Sequence, residues 1–147
     1  MTKELILSNL RLLRSAVEAQ PEKLFDLAQF KQEEPCGTLF CTAGLAATMP
    51  EFQKQGIRLV GEVSPYNNST YWRVQINGEE LWDGDEDGGP ADALFGECSA
   101  DNCFSERWGS EYDEAILGDW EHAEDNITDK QLALSRLDAQ IEFVEAQ

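Results

Sequence analysis

Basic residues are scarce in this chain. Its 147 residues hold 11 Lys plus Arg against 29 Asp plus Glu, a formal net charge of −18. Binding nucleic acid through its phosphates needs surplus Lys and Arg, so direct nucleic-acid binding is not expected. Anionic membrane surfaces repel such a chain for the same reason. Long apolar runs are also missing: no stretch approaches the ~18 residues of a membrane-spanning helix. The apolar opening Leu5-Ile6-Leu7 is broken by Ser8, Asn9 and Arg11, with Arg14 behind them. It reads as mature sequence and not as a signal peptide, which places the protein in the cytoplasm. The sequons at Asn67, Asn68 and Asn126 then carry no meaning. There is no glycine-rich phosphate loop, no G-x-S-x-G elbow and no zincin histidine pair. The chain holds one histidine, His122. A non-enzymatic protein is therefore expected.

The chain still has the means to fold. It is 41% hydrophobic and 10% aromatic, too much for a disordered acidic tail. Ile6, Leu10, Leu13 and Val17 recur at helical spacing and predict an amphipathic helix over 5–17. Pro21 suits the first turn of a short second helix that turns Leu24, Leu27 and Ala28 inward. The run 35–49 is uncharged and rich in small residues (Ala43, Gly44, Ala46, Ala47). It predicts a helix at the centre of the core. Pro50 and Gly56 bracket one more helical turn. Ile57 to Val63 reads as a strand. Tyr71 to Ile76 alternates, with Trp72, Val74 and Ile76 on one face. Asn77-Gly78 is a hairpin signal, so the hairpin 71–82 sets Val74 opposite Leu81 and Arg73 opposite Trp82. Pro90 to Phe95 predicts a short helix, and 97–126 reads as irregular. Thr128 and Gln131 have the spacing of a capping box, opening a last helix with Leu134, Leu137, Ile141 and Val144 as its buried stripe. The expected fold is a single compact α+β domain. It has a small antiparallel sheet packed against helices, including amphipathic helices at both chain ends.

The charge is not spread evenly. Residues 1–60 hold seven basic and seven acidic residues, so the whole −18 lies in 61–147. Residues 79–129 alone carry 18 carboxylates against Arg107. Residues 1–60 thus read as a charge-neutral helical scaffold and 61–147 as an acidic half. Self-repulsion of this size opposes folding, and solubility needs a net charge of only ~2–8. One source of the excess is a surface that imitates a phosphate array and occupies a cationic groove on a nucleic-acid-binding protein. A duplex carries one charge per ~1.7 Å of axis. The residues expected to form that surface are Glu79, Glu80, Asp83, Asp85, Glu86, Asp87, Glu111, Asp113, Glu114, Asp119, Glu121, Glu124 and Asp125. A plain solvated acidic face is the bland alternative. Salt adaptation is disfavoured, because it would not leave the first 60 residues neutral.

Metal-directed acidity is another alternative. Asp83-Gly84-Asp85-Glu86-Asp87-Gly88 matches the first half of a calcium loop, in which alternate carboxylates converge on one hard cation. The second half fails, because Leu94 stands where a bidentate Glu belongs. Asp83, Asp85, Asp87 and Asp92 remain as candidate calcium ligands, and no other cofactor is expected. The cysteines form two pairs, Cys36/Cys41 and Cys98/Cys103, each with four intervening residues. Zinc sites allow two to four, so a site on all four is a second metal alternative. Cys41 falls near the predicted start of the apolar helix, where the dipole would favour thiolate. The only base, His122, sits among acids, so cysteine catalysis is the weakest reading. Packing as small buried hydrophobes is the ordinary role for Cys36 and Cys41.

The run Cys36-Gly37-Thr38-Leu39-Phe40-Cys41-Thr42-Ala43-Gly44 is followed by Pro50-Glu51-Phe52 and Gly56-Ile57-Arg58-Leu59. This resembles a group of small proteins of tailed phages and bacteria that carry C-G-T-x-x-C-x-x-G, then P-E-F and G-[IL]-x-L. Leu94-Phe95-Gly96 is similar to a later L-F-G element of the same group. The likeness covers residues 5–60 and 90–96. It implies a phage source and a shared scaffold, and it assigns no functional residue. The expected function is therefore that of a phage-type protein that binds and inhibits a basic host nucleic-acid-binding protein through a DNA-mimic-like surface. A metal-binding structural domain or a phage structural or accessory protein is the alternative.

Overall fold

The computed structural model describes residues 2–34, 37–81, 89–107, 109–118 and 127–147. Helix α1 spans Lys3–Ala19 and starts at Thr2, whose side chain accepts the Leu5 N–H. Leu7, Leu10, Leu13 and Val17 face the core. A 3-10 turn, Glu22–Leu24, follows in place of the expected second helix. Leu27 is buried there, Leu24 half-buried and Ala28 exposed. Strands β1 (Gln32–Glu34) and β2 (Gly37–Leu39) pair antiparallel, Glu33 opposite Thr38. Residues 1–60 are therefore not wholly helical. Helix α2 (Thr42–Ala47) and the single turn α3 (Pro50–Gln53) come next.

Strands β3 (Ile57–Val63), β4 (Thr70–Ile76) and β5 (Glu79–Glu80) form an antiparallel sheet in chain order. Asn77 and Gly78 both take positive φ, 52° and 84°, as the two-residue turn requires. Leu81 N–H donates to the Val74 carbonyl, the register the turn predicts, while Trp82 lies outside the described residues. Helix α4 spans Pro90–Phe95, as expected, and two short helices follow, α5 (Ser99–Phe104) and α6 (Asp113–Leu117). The region read as irregular thus contains helix. Helix α7 (Asp129–Glu145) closes the chain with the predicted capping box at Thr128 and Gln131. The result is an α+β domain, its small three-stranded sheet packed with helices.

Within the motif run, residues 40–44 form a structural clamp. The helix begins only at Thr42, with Cys41 as its cap: Cys41 Sγ accepts the Gly44 N–H at 3.4 Å. Cys41 N–H donates to the Gln29 carbonyl at 2.7 Å, and Phe40 bridges to Phe25 in parallel. This draws α2 onto the chain at 24–30. A Cβ on Gly44 would sit 1.6 Å from the Phe30 carbonyl oxygen, so only glycine allows that approach. Every residue of α2 is buried, which bears out its central place.

Helices α1 and α7 run antiparallel. Arg14 pairs with Asp138, Arg11 with Glu145, and Lys130 reaches the Glu18 carbonyl. Of the predicted stripe, Leu137 and Val144 are buried, and the fully buried face of α7 is turned further toward polar residues. Leu134 and Ile141 are half-buried, while Leu132, Ala133, Arg136, Leu137, Gln140 and Val144 face inward. Arg136 is 0% exposed. Its Nε and Nη2 donate to the two Asp113 carboxylate oxygens at 2.7 and 2.6 Å. Nη1 donates to the Ser105 carbonyl at 2.6 Å and Nη2 also to that of Glu106 at 2.8 Å. Gln140 donates to the Phe95 and Glu97 carbonyls and accepts the Tyr112 hydroxyl. Segment 95–113 is thus held by polar side chains of α7. Phe104 adds an edge-on contact with Phe95, whose ring packs on Phe52.

Removing one partner of a buried bidentate pair leaves an uncompensated charge, which costs about 3–5 kcal/mol. Asp113→Ala is expected to lower stability by that amount in urea unfolding, with Gly44→Ala costing about 1–3 kcal/mol through overpacking. An Asp113→Ala midpoint within error of the parent's would show that the pair is not what holds α5 and α6 to α7.

Candidate acidic interface

The carboxylates of 79–129 have different fates. Asp113, expected on the partner surface, is instead 0% exposed inside the Arg136 fork. It reads as surface acid in the sequence because its partner lies 23 residues away in a different helix. Asp129 binds Arg107 and the Leu27 N–H. Glu80 accepts from Arg73 at 2.6 Å and from Gln75 at 3.0 Å. Glu79 stands exposed beside it on the sheet. Glu114 is exposed on α6 and Glu111 just before it. Asp83, Asp85, Glu86, Asp87, Asp119, Glu121, Glu124 and Asp125 lie outside the described residues.

The structure gathers a different group. Cys98, exposed and in the left-handed region at φ 60°, joins α4 to α5. Partial burial pushes its thiol pKa up, and so do the charges of Asp92, Glu97, Glu111 and Asp101. The charges of these four carboxylates all act on the Cys98 thiol. Glu111 is fixed twice by the buried Asn102 amide: its carboxylate accepts from Nδ2 at 3.1 Å and its N–H donates to Oδ1 at 3.3 Å. Asp92 is half-buried on α4, and the Cys98 and Ser99 N–H groups favour its charged form. Desolvation first, then the charge of Glu97, raises the Asp92 pKa. No basic side chain among the described residues bonds to Glu97, Asp101 or Glu111. Glu79 and Glu80 belong to the sheet, and no described contact joins them to this cluster. Glu97 and Asp101 were missed in the sequence because α5 shows no clear helical period. Its Ser99, Asn102 and Cys103 are buried where apolar residues would have announced it.

The metal alternatives gain no geometry here. Among the described residues no three His, Cys, Asp or Glu side chains are placed to hold one ion. Asp92 is half-buried on α4, and its proposed co-ligands Asp83, Asp85 and Asp87 lie outside the described residues. Of the four cysteines, Cys36 is outside the described residues, Cys41 and Cys103 are buried thiols and Cys98 is exposed. The expectation of an activated Cys41 is corrected. Burial pushes its pKa up to about 11, outweighing the lowering by the Gly44 and Ala43 N–H groups. Burial pushes the Cys103 thiol up to about 12. His122 lies outside the described residues.

The fold and this cluster define an α+β domain with an acidic, partly preorganised surface. Compared with known proteins, the chain matches no family model, no curated protein and no solved structure. No described helix is long and apolar enough to cross a membrane.

The two buried thiols make stability fall at alkaline pH. A folded-state pKa above the ordinary 9.0 gives a contribution that is complete below pH 9 and lost as pH rises toward about 11 for Cys41 and about 12 for Cys103. Each thiol should lower unfolding stability by about 1.4 kcal/mol per pH unit within its window. Chemical unfolding between pH 8 and 10.5, with Cys41→Ala and Cys103→Ala, measures this. Iodoacetamide on native protein at pH 8 should label Cys98 and spare Cys41 and Cys103. Rapid labelling of Cys41 would contradict the burial argument.

Proposed function

We propose that the protein acts by binding and not by catalysis. Its acidic cluster at α4–α6 docks on a cationic surface of a nucleic-acid-binding protein and occupies it in place of nucleic acid. The observation that carries this reading is that Glu97, Asp101 and Glu111 stand exposed at α5 and its flanks, with no basic side chain among the described residues bonded to them. Like charges at one surface repel one another, and a cationic partner relieves that repulsion. The Asn102 amide limits how far Glu111 can swing, which lowers the ordering cost on association. The net charge of −18 adds long-range steering and fast, salt-sensitive encounter. The phage-type motif adds a host protein as the partner, for example a defence nuclease, a restriction complex or a DNA-processing factor.

The test compares parent protein with a Glu97→Gln, Asp101→Asn, Glu111→Gln variant as bait in host lysate. A basic protein should be retained at roughly 50 mM salt and released at roughly 500 mM, where the screening length falls from about 14 Å to about 4 Å. The variant should retain at least about tenfold less, and duplex DNA should displace the captured protein from the parent. Retention that ignores salt, the triple substitution or competing DNA rules the reading out.

A further inference from the structure

Strand β3 ends the sheet on the side away from β5, with β4 as its neighbour in the strand order. Ser64 N–H donates to the Ser69 carbonyl and Asn77 N–H to that of Gly56, so Arg58, Val60 and Glu62 are the β3 residues that hydrogen-bond to β4. The N–H and C=O groups of Leu59, Gly61 and Val63 point away from the sheet. Among the described residues nothing donates to them or accepts from them. The space beside them is open as well. Val63 is 64% exposed. Gly61 is exposed even though the Trp72 ring covers it on the side where a Cβ would stand, 2.8 Å from the ring. Glycine has no side chain, so what Gly61 exposes is backbone.

Arg58, Val60 and Glu62 alternate along this strand and share one of its faces. Arg58 is exposed, and its Nη1 donates to the Gln53 and Ile57 carbonyls. No hydrogen bond among the described residues uses its Nε or Nη2. Val60 is half-buried. Glu62 is half-buried too and accepts from Tyr71 and Arg73 on β4. The face therefore runs cation, apolar, anion along the edge. An order of that kind is its own complement when the strand direction is reversed.

We infer that two copies of this chain pair β3 with β3, antiparallel, about a two-fold axis at Val60. Leu59 then stands opposite the partner's Gly61, and Gly61 opposite the partner's Leu59, each pair exchanging two backbone hydrogen bonds. Arg58 meets the partner's Glu62, Glu62 meets the partner's Arg58, and the two Val60 side chains meet between them. These are non-hydrogen-bonded positions, where opposite side chains stand closest. A slip of one residue sets outward groups against groups already bonded to β4, so no ladder forms. A slip of two sets Arg58 opposite Val60 or Ser64, and both charge pairs are lost. The order of charges thus selects both the partner and the register. An isologous contact closes at two copies, and it covers an edge that would otherwise template open-ended pairing. The ladder is short and falls below the ~1,200 Å² of a stable complex, so the pairing is reversible. The like charge of the copies, −18 each, opposes it at low salt. This surface lies on the sheet and is independent of the helical carboxylates.

Sedimentation velocity of the full chain at roughly 0.3 M salt, where the screening length is only about 6 Å, tests the pairing. A reversible monomer–dimer equilibrium is expected, with a dissociation constant below about 1 mM. Over the same concentrations, hydrogen exchange of the Leu59 and Gly61 amides should slow severalfold, while the Val60 and Glu62 amides stay protected throughout. Arg58→Glu sets acid against acid in both charge pairs, and Glu62→Lys sets base against base. Each variant alone should associate at least about tenfold more weakly. An equimolar mixture of the two should restore association, because the mixed dimer again holds two opposite-charge pairs. Glu62 also serves Tyr71 and Arg73, so retained protection of the Val60 amide shows that the sheet is intact in that variant. Arg58→Glu disturbs no internal carboxylate and is decisive by itself. Three results overturn the proposal. One is a monomer at every concentration up to about 1 mM. Another is a dimer that Arg58→Glu leaves unchanged, which would place the contact elsewhere on the molecule. The third is a Gly61 amide equally protected at the lowest concentration, which would assign the edge to a segment of the same chain.

Discussion

A buried guanidinium ties the chain around α5 and α6 to the last helix, α7. Arg136 sits on α7, fully inside, with both Asp113 oxygens and two backbone carbonyls as acceptors. Such a charge is tolerated in the interior only when its donors are met. That demand orders the chain around Ser105, Glu106 and Asp113, where the apolar content is modest. Gln140, one turn further along the same helix, does the same for Phe95, Glu97 and Tyr112. The cluster around Cys98 exists because these contacts hold α4, α5 and the approach to α6 against α7.

The same arrangement separates structural from available acid. Asp113, Asp129 and Glu80 are spent on internal partners. Glu97, Asp101 and Glu111 remain at the surface. The surface charge is therefore not a simple readout of composition. It is what the interior leaves over.

Much of the fold was legible from local pattern. The α1 stripe, the β3 and β4 alternation, the Asn77-Gly78 turn, Pro90 as the start of α4 and the Thr128 capping box all depend on neighbours within a few residues. The apolar run at 42–47 was rightly placed in the core, but its upstream part was not helix. Gly37 to Leu39 pairs with Gln32 to Glu34, and that pairing leaves no helical or strand period long enough to see. Helices α5 and α6 were missed because each is under two turns long and mixes buried Ser99, Asn102 and Asp113 with its apolar core residues, which leaves no helical period.

By itself the sequence determined that the net charge lies entirely beyond residue 60, and it determined the elements whose signals are local. Those are consequences of composition and of backbone preference, which act within a turn or a hairpin. Tertiary structure alone decided which carboxylates stay at the surface. A carboxylate's fate depends on whether a cation reaches it, and Arg136 meets Asp113 across 23 residues while Arg73 meets Glu62 across 11. Tertiary structure also decided the chemistry of Cys41. Its position at a helix start favours thiolate, but full burial removes the water that a thiolate needs, and desolvation is the larger effect.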